Sequence, residues 1–370
     1  MTLLDFACYA FIAVVFIQVI CLLFLFSKFA FIKPKKQVAK ALPVSVIICA
    51  KNEAKNLKTF LPSILSQAYP NFEVVLINDS SYDDTLEVME DFQKKHTNIK
   101  IVDVKSNEAF WGNKKYALTL GIKASTNDYL LFTDADCKPV SRSWISEMCS
   151  QFNADKTIVL GYGGYSRVKN SFLNKLIRYE TLVTAIQYFS FAKSGIPYMG
   201  VGRNLAYTKE QFFKAKGFMG HMKIKSGDDD LFINEAATPK NTALSFSKNS
   251  ITISTPKKTF RAWVKQKRRH ISTAKHYKKL HKFLLSIIYA TNVLFWVLAI
   301  ILLTLNFNWQ IILALFILKL ILQYTIYGIS AKKLNESDLI IFIPFLEIFL
   351  ITFQLAIFIN NLISKPNHWK

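Results

Sequence analysis

Residues Tyr129 to Lys138 read Tyr-Leu-Leu-Phe-Thr-Asp-Ala-Asp-Cys-Lys, and the rest of the chain can be understood from them. The first four form a short apolar run of the kind that makes a strand buried on both faces. The second half sets Asp134 and Asp136 on either side of Ala135. In extended chain, side chains two apart share a face, so both acids can leave the strand end together and meet one cation. A hard divalent ion takes a few carboxylate oxygens and completes its shell with phosphate oxygens of a ligand, so the pair suits a metal-diphosphate. Acid-x-acid triplets are common in loops, and this one gains weight only from its surroundings.

Upstream, the pattern alternates. Val44 to Ala50 is a buried strand, and Asn52 to Ser66 has helical period with Leu57, Phe60, Leu61, Ile64 and Leu65 on one stripe. Phe72 to Asn78 is a second strand, followed by the polar turn Asp79 to Thr85 and a helix from about Leu86 to Lys95. Ile99 to Val104 is a third strand, Lys114 to Ala124 a helix, and Tyr129 to Thr133 a fourth strand. Strand-helix repetition of this kind predicts an α/β fold with a mostly parallel sheet and ligands at the carboxyl ends of its strands. Lys51-Asn52-Glu53, Asp79 and the Asp134/Asp136 pair all fall at such ends. Downstream, Ile158 to Tyr165 reads as one strand with close-approach glycines. Phe172 to Phe191 reads as an interfacial helix gating the site. Gly200 to Ala206 enters a short strand. Ser226-Gly-Asp-Asp-Asp-Leu-Phe232 opens a helix with acids at its N-terminus, where the dipole favours them.

Composition adds a membrane. Of 370 residues 51% are hydrophobic, which is high for a purely soluble protein. Leu3 to Ile32, Phe283 to Leu305, Trp309 to about Ile329 and Leu339 to Ile363 are apolar stretches of bilayer length. Lys33, Lys35, Lys36 and Lys40 follow the first, and Lys332 and Lys333 separate the last two. The positive-inside rule then predicts four crossings, both termini outside and one cytoplasmic domain, with only Lys365 and Lys370 outside. The net charge of +22 is largely accounted for by these clusters and by the basic stretch Lys257 to Lys282, so an anionic membrane surface is the expected partner. No nucleic-acid recognition motif is present. The five cysteines and six histidines show no metal-ligand spacing, and reduced thiols are expected. Trp111 and Tyr198 read as ordinary core or platform aromatics. The expected organisation is a membrane helix (1–32), a catalytic domain (42–270), a basic interfacial segment (271–282) and three membrane helices (283–363).

Taken in order, these motifs resemble glycosyltransferase family 2, the inverting GT-A enzymes. Lys51-Asn52-Glu53 after the first strand is similar to the family's (Arg/Lys)-Asn-Glu. Asn78-Asp79-Ser80-Ser81 with Asp83-Asp84-Thr85 is similar to its nucleotide-binding turn, and Asp134-Ala135-Asp136 to its metal-binding D-x-D. Asp228-Asp229 sits where the family has its catalytic acid pair. Gln266-Lys-Arg-Arg269-His270 resembles Q-x-x-R-W, with His270 replacing the usual Trp. The resemblance implies a GT-A domain, Mg2+ or Mn2+ at Asp134 and Asp136, and a nucleotide-sugar donor with a lean to UDP-sugars. Donor contacts are then expected from Glu53, Asp79, Asp83, Lys114, Lys115, Asp134, Gln266, Arg268 and Arg269. Gly202-Arg203-Asn204 resembles the acceptor-side stretch, which assigns Arg203 and Asn204 there.

The chemistry asks for the same groups. A departing diphosphate needs positive charge, from a metal and from Lys114, Lys115, Arg268 or Arg269. An acceptor hydroxyl needs one base, and crowded acids can raise a pKa into a useful range. Counting back from Leu231 favours Asp228, slightly ahead of Asp229, which is favoured when the acids are matched as a pair. The expected activity is transfer of one sugar to a lipid or lipid-linked glycan at the cytoplasmic face, in the inner membrane of a bacterium. A processive polysaccharide synthase and a non-catalytic nucleotide-binding scaffold are the alternatives.

Overall fold

The computed structural model describes residues 1–33, 41–105, 114–224 and 226–363. Lys35, Lys36, Lys40, Trp111, Lys365 and Lys370, named above, lie outside these residues. The described residues form ten strands: β1 (Val44–Ala50), β2 (Phe72–Asp79), β3 (Ile99–Val104), β4 (Tyr129–Phe132), β5 (Cys137–Pro139), β6 (Ile158–Leu160), β7 (Gly163–Tyr165), β8 (Leu205–Thr208), β9 (Thr242–Leu244) and β10 (Thr252–Ser254). The main sheet has the order β3-β2-β1-β4-β8-β6-β9. Its first four strands are parallel, β8 runs antiparallel to both neighbours, and β9 is parallel to β6.

Both faces of β1, β2 and β4 are covered, which is why these strands read as largely apolar runs, whereas β3 at the edge leaves Lys100 and Asp103 exposed. Val46 and Ile48 of β1 pack with Leu57 and Leu61 of the helix Ala54–Leu65. Ile47 points the other way, into the cluster that holds Ala117 and Leu118 of the helix Lys114–Ala124. That second helix lies so close to β2 that a Cβ on Gly121 would stand 2.1 Å from Ile77 Cδ1, so only glycine fits.

Two sequence expectations are corrected. Ile158 to Tyr165 is not one strand. It splits at Gly161 and Tyr162 into β6 of the main sheet and β7 of a small sheet, β5-β10-β7. A Cβ at Gly161 would meet the Asn204 carboxamide at 2.6 Å, so a distant side chain sets the break. The helix around Phe172–Phe191 runs Phe172–Lys193 and is a core helix, not an interfacial gate. Leu176, Tyr179, Leu182, Ile186 and Phe189 are all buried. Its polar residues are paired rather than solvated: Arg178 donates to Glu336 and Asp338, and Glu180 pairs with Lys267.

Among the described residues, four helices are long and apolar enough to cross a membrane: Leu3–Ala30, Lys279–Thr304, Trp309–Lys333 and Ser337–Ile363. Phe11, Phe295 and Phe316 stack in a core shared by the first three of these helices, with ring centroids 5.7 and 5.3 Å apart. The link between the last two docks on the α/β domain, where Tyr162 OH donates to Glu336 at 3.1 Å. Lys333 Nζ donates to the Phe29 carbonyl at 2.9 Å. Those contacts put the end of the first helix, the Lys332-Lys333 corner and the α/β domain on one side of the bundle, as the positive-inside reading expects.

Candidate active site

An open cleft of about 800 Å³ lies at the carboxyl ends of β1, β2 and β4. Cys49, Lys51 and Glu53 line it from the end of β1, Asp79 from β2, and Asp134, Ala135 and Asp136 from the turn after β4. Lys257, Gln266 and Arg269 close it from the C-terminal side, and Gln266 Oε1 is buried there without a hydrogen-bond partner. A smaller recess opens from the same floor. It is lined by Lys114, Asp134, Gly202, Asp228 and Asp229, so Lys114 and Asp134 belong to both.

The two turns beside the cleft are laced together. Asn52 adopts a left-handed φ of 56° and accepts from the Tyr82 N–H at 2.8 Å. Glu53 N–H donates to Thr85 Oγ1 at 2.8 Å, and Ala54 N–H to Asp83 Oδ2 at 3.3 Å. Asp83 therefore latches two helix starts and does not line the cleft. Asp79 is buried at the strand end, and its pKa is raised by burial against the pull of Lys51 and Lys114.

Asp134 and Asp136 do not leave an extended strand end, as the spacing argument supposes. They sit in a tight turn that carries the chain from β4 to β5, closed by the Cys137 N–H on the Asp134 carbonyl at 3.1 Å. The turn still gathers the carboxylates: ligand atoms of Asp134, Asp136 and Cys137 all lie within 4.8 Å of one another. Burial and then the neighbouring Asp134 charge raise the Asp136 pKa, and Arg203 partly offsets them. Burial likewise raises the Cys137 thiol, which makes a 2.8 Å hydrogen bond with Ser254 Oγ. The available donors are thus two carboxylates and a protonated thiol. That set fits a hard, oxygen-preferring ion such as Mg2+ or Mn2+ and argues against a thiolate-bound metal.

Lys114 joins the acidic motifs. Its Nζ lies 3.1 Å from Asp134 and 3.0 Å from Asp228. Burial opposes its charge, but the two carboxylates outweigh that and hold its pKa well above the usual value. In Asp228, burial is likewise outweighed, here by Lys114, and its pKa is lowered. Asp229 has no such partner. Burial and then the charges of Asp228 and Asp230 push it up to about 7, against a 2.7 Å hydrogen bond from the Gly202 N–H. Gly227 makes the approach possible with φ 94°, a conformation glycine adopts without strain. Asp230 faces away from the recess, accepting from Thr273 Oγ1 and from Tyr277 OH at 2.7 Å.

Four expected contacts have other occupations. Lys115 is buried and its Nζ donates to the carbonyls of His221, Ile224 and Ser226 at 2.8 to 2.9 Å, so it shapes the loop before Asp228 instead of meeting a donor. Arg268 Nε donates to Asn361 Oδ1 at 2.9 Å on the last membrane helix. Arg203 lies behind the D-x-D turn, 4.3 Å over the Tyr165 ring, with Nη1 donating to the Gly164 carbonyl at 3.1 Å. Asn204 is fully buried, donates to the carbonyls of Tyr162 and Ser250, and accepts from Trp144 Nε1. Removing the carboxamide leaves Trp144 Nε1 and the Ser250 carbonyl unpaired, and the Tyr162 carbonyl with only the Thr252 N–H, so Asn204→Ala is expected to lose about 3 kcal/mol of stability. A thermal melt in detergent checks this, with nucleotide affinity at room temperature unchanged. Within Gly202-Arg203-Asn204 it is Gly202 that reaches the recess. Sequence reasoning placed Lys51 at a ligand-binding strand end without giving it a role, and missed Lys257 as a cleft residue. Lys51 was legible as the first residue past β1, whereas Lys257 was hidden in a stretch read as a membrane collar.

A mixed sheet with its acids at the strand ends and a D-x-D turn into a second small sheet defines a GT-A domain. Residues 45–224 match the model of glycosyl transferase family 2, which assigns this domain to that family. A poly-beta-1,6-N-acetyl-D-glucosamine synthase of Staphylococcus epidermidis is 34% identical over 111 residues, which is 30% of this chain and 25% of that protein. A cholesterol galactosyltransferase of Borreliella burgdorferi is 28% identical over 117 residues, covering 32% of this chain and 31% of that protein. The chain thus spans about a quarter to a third of the length of these two relatives. Among solved structures, a mannosyltransferase from Pyrobaculum calidifontis in complex with GDP-Man and Mn2+ shares the fold. It has a TM-score of 0.59 and 18% identity, over 92% of this chain and 97% of that one.

Proposed function

We propose that the protein is a membrane-bound, metal-dependent, inverting glycosyltransferase. It moves one sugar from a nucleotide-sugar to an acceptor presented by the membrane, at the cytoplasmic face. The observation that carries this reading is the bridge from Asp134 through Lys114 to Asp228, with Asp229 lining the same recess. It joins a site for a diphosphate to a site for a base.

Asp134 and Asp136 would hold Mg2+ or Mn2+, which neutralises charge on the departing diphosphate as a Lewis acid. Lys114 adds a fixed positive charge beside the same group. Asp79 at the end of β2 is placed to accept from the imide N–H of a uracil, which supports a UDP-sugar. Gln266 Oε1 and Arg269 close the cleft over the donor. Asp229 takes the proton of the acceptor hydroxyl as its oxygen bonds to the anomeric carbon. The bond from that carbon to the diphosphate oxygen breaks, and the nucleoside diphosphate leaves. With a pKa near 7, Asp229 combines a useful ionised fraction with real basicity, which Asp228, ion-paired to Lys114, lacks. Asp229 is accordingly the base, in place of the slight lean to Asp228 that the count from Leu231 gives. The basic segment from Lys257 to Lys282 lies where the domain meets the membrane helices, which supports an anionic inner leaflet as its partner.

Detergent-purified protein with Mg2+ or Mn2+ is expected to release nucleoside diphosphate from at least one of a panel of UDP- and GDP-sugars. If no donor is turned over and Asp136→Asn behaves identically, the reading is wrong. The name of the staphylococcal relative favours a second reading, a processive synthase. Four helices of membrane-crossing length among the described residues, only one of them before the α/β domain, leave little for a translocation channel and support single transfer instead. Mass spectrometry of the product separates the two, since a ladder of repeating units appears only with the synthase.

A further inference from the structure

A second cavity, of about 740 Å³, lies between the core helix Phe172–Lys193 and the membrane helices. Its walls are unexpectedly polar for that depth. Glu180, Thr184 and Gln187 line it from the core helix, Asn292 from Lys279–Thr304, and Glu347 and Gln354 from Ser337–Ile363. No lysine or arginine is among its lining residues. Polar groups among membrane helices are retained where they meet one another, water or a ligand.

The polar wall is built and fixed. Glu347 is held by Lys319 Nζ at 3.1 Å, Gln323 Nε2 at 2.7 Å and Trp296 Nε1 at 3.2 Å, so its charge is balanced from behind while it still borders the cavity. Asn292 Oδ1 accepts from Gln18 Nε2 at 2.9 Å. Gln18 is only 5% exposed, and its Oε1 has no hydrogen-bond partner. It lines a smaller neighbouring pocket that shares Asn292 and Glu347 with the main one. A buried carboxamide oxygen without a donor calls for a hydroxyl or N–H from something not part of the chain. The cytoplasmic end of the cavity lies one helix from the donor cleft, because Glu180 pairs with Lys267 while the adjacent Gln266 lines the cleft.

We propose that this cavity seats the uncharged, hydroxyl-bearing head of a membrane lipid, entering sideways between the core helix and the last membrane helix. Carboxylates and carboxamide oxygens accept hydrogen bonds from hydroxyls, and because Lys319 and Lys267 already match the charges of Glu347 and Glu180, the wall offers no further cation to a phosphate. Resting on the glycosyltransferase reading, this lipid is the acceptor: a neutral lipid such as a diacylglycerol or glycosyl-diacylglycerol, not a polyprenyl phosphate.

The test uses the full chain in phosphatidylcholine nanodiscs doped with dioleoylglycerol, monoglucosyl-dioleoylglycerol or undecaprenyl phosphate. Native mass spectrometry reads the lipid retained. Retention of the two neutral lipids is expected, falling at least about tenfold in Thr184→Trp, which fills the cavity, and in Asn292→Leu, which removes a polar partner. Binding of UDP to the same preparations reports a folded cytoplasmic domain. If Thr184→Trp does not fold, Gln354→Leu carries the same comparison. Equal retention by wild type and variants, or preferential retention of undecaprenyl phosphate, overturns the proposal. Retention is independent of turnover, so a protein that keeps the neutral lipid yet processes no nucleotide-sugar sinks the glycosyltransferase reading and leaves the lipid site standing.

Discussion

Asp229→Asn is expected to slow sugar transfer by about 10²- to 10⁴-fold, the usual range for loss of a general base, with nucleotide affinity intact. The substitution is close to isosteric, and asparagine caps a helix as well as aspartate does, so the N-terminus of the helix Asp230–Ala236 should survive it. The wild-type pH profile gives a second reading of the same group. As base, Asp229 works only when ionised, so the rate should rise with pH through about 7. Were Asp228 the base, its lowered pKa would leave the rate flat across that interval. Stability moves the opposite way. A carboxyl whose folded pKa lies above its unfolded value of about 3.9 favours the fold while protonated, and that contribution is lost as pH rises through the folded pKa. Asp229→Asn, neutral throughout, should therefore melt higher than wild type above pH 7 and gain nothing near pH 4. A flat wild-type rate over this interval together with an unimpaired Asp229→Asn enzyme would return the role to Asp228.

Most of the parallel half of the sheet was legible because β1, β2 and β4 are buried on both faces, and such a strand looks the same whatever covers it. The acids at strand ends were legible because the topology of a wound sheet fixes where a βα turn must lie. What was not legible was set by partners far along the chain. The break in Ile158–Tyr165 depends on Asn204, which presses on Gly161. Phe172–Lys193 looked interfacial because Arg178 and Glu180 carry charge, and only the fold brings Glu336 and Lys267 to meet them. Lys115 and Arg268 looked like phosphate ligands by their neighbours Lys114 and Arg269, but helical geometry turns adjacent residues about 100° apart, and each pair divides between the site and its support. Lys319 and Glu347 each stand inside an apolar run, and their pairing is a property of helix packing alone.

Asp136→Asn is expected to lose at least about 10² in transfer rate, and EDTA should bring the wild type to the same level in a way that Mn2+ reverses. Loss of activity alone would not separate a ligand to the ion from a residue that shapes the turn, but the melting temperature does. Without metal, burial and the Asp134 charge oppose ionisation of Asp136, so the wild type carries two crowded carboxylates that the variant does not. The variant should then melt higher. A cation bound only by the folded protein adds about 2.7 kcal/mol at a hundred times its dissociation constant, and the wild type alone should gain it. The order of the two melts is therefore expected to cross between EDTA and saturating Mn2+. The Mn2+ paramagnetic signal, read on the same samples, should broaden with the wild type only. A structural residue would shift both melts in parallel, because its contribution does not depend on the ion. A crossing requires that the same carboxylate be a liability when the site is empty and an asset when it is filled.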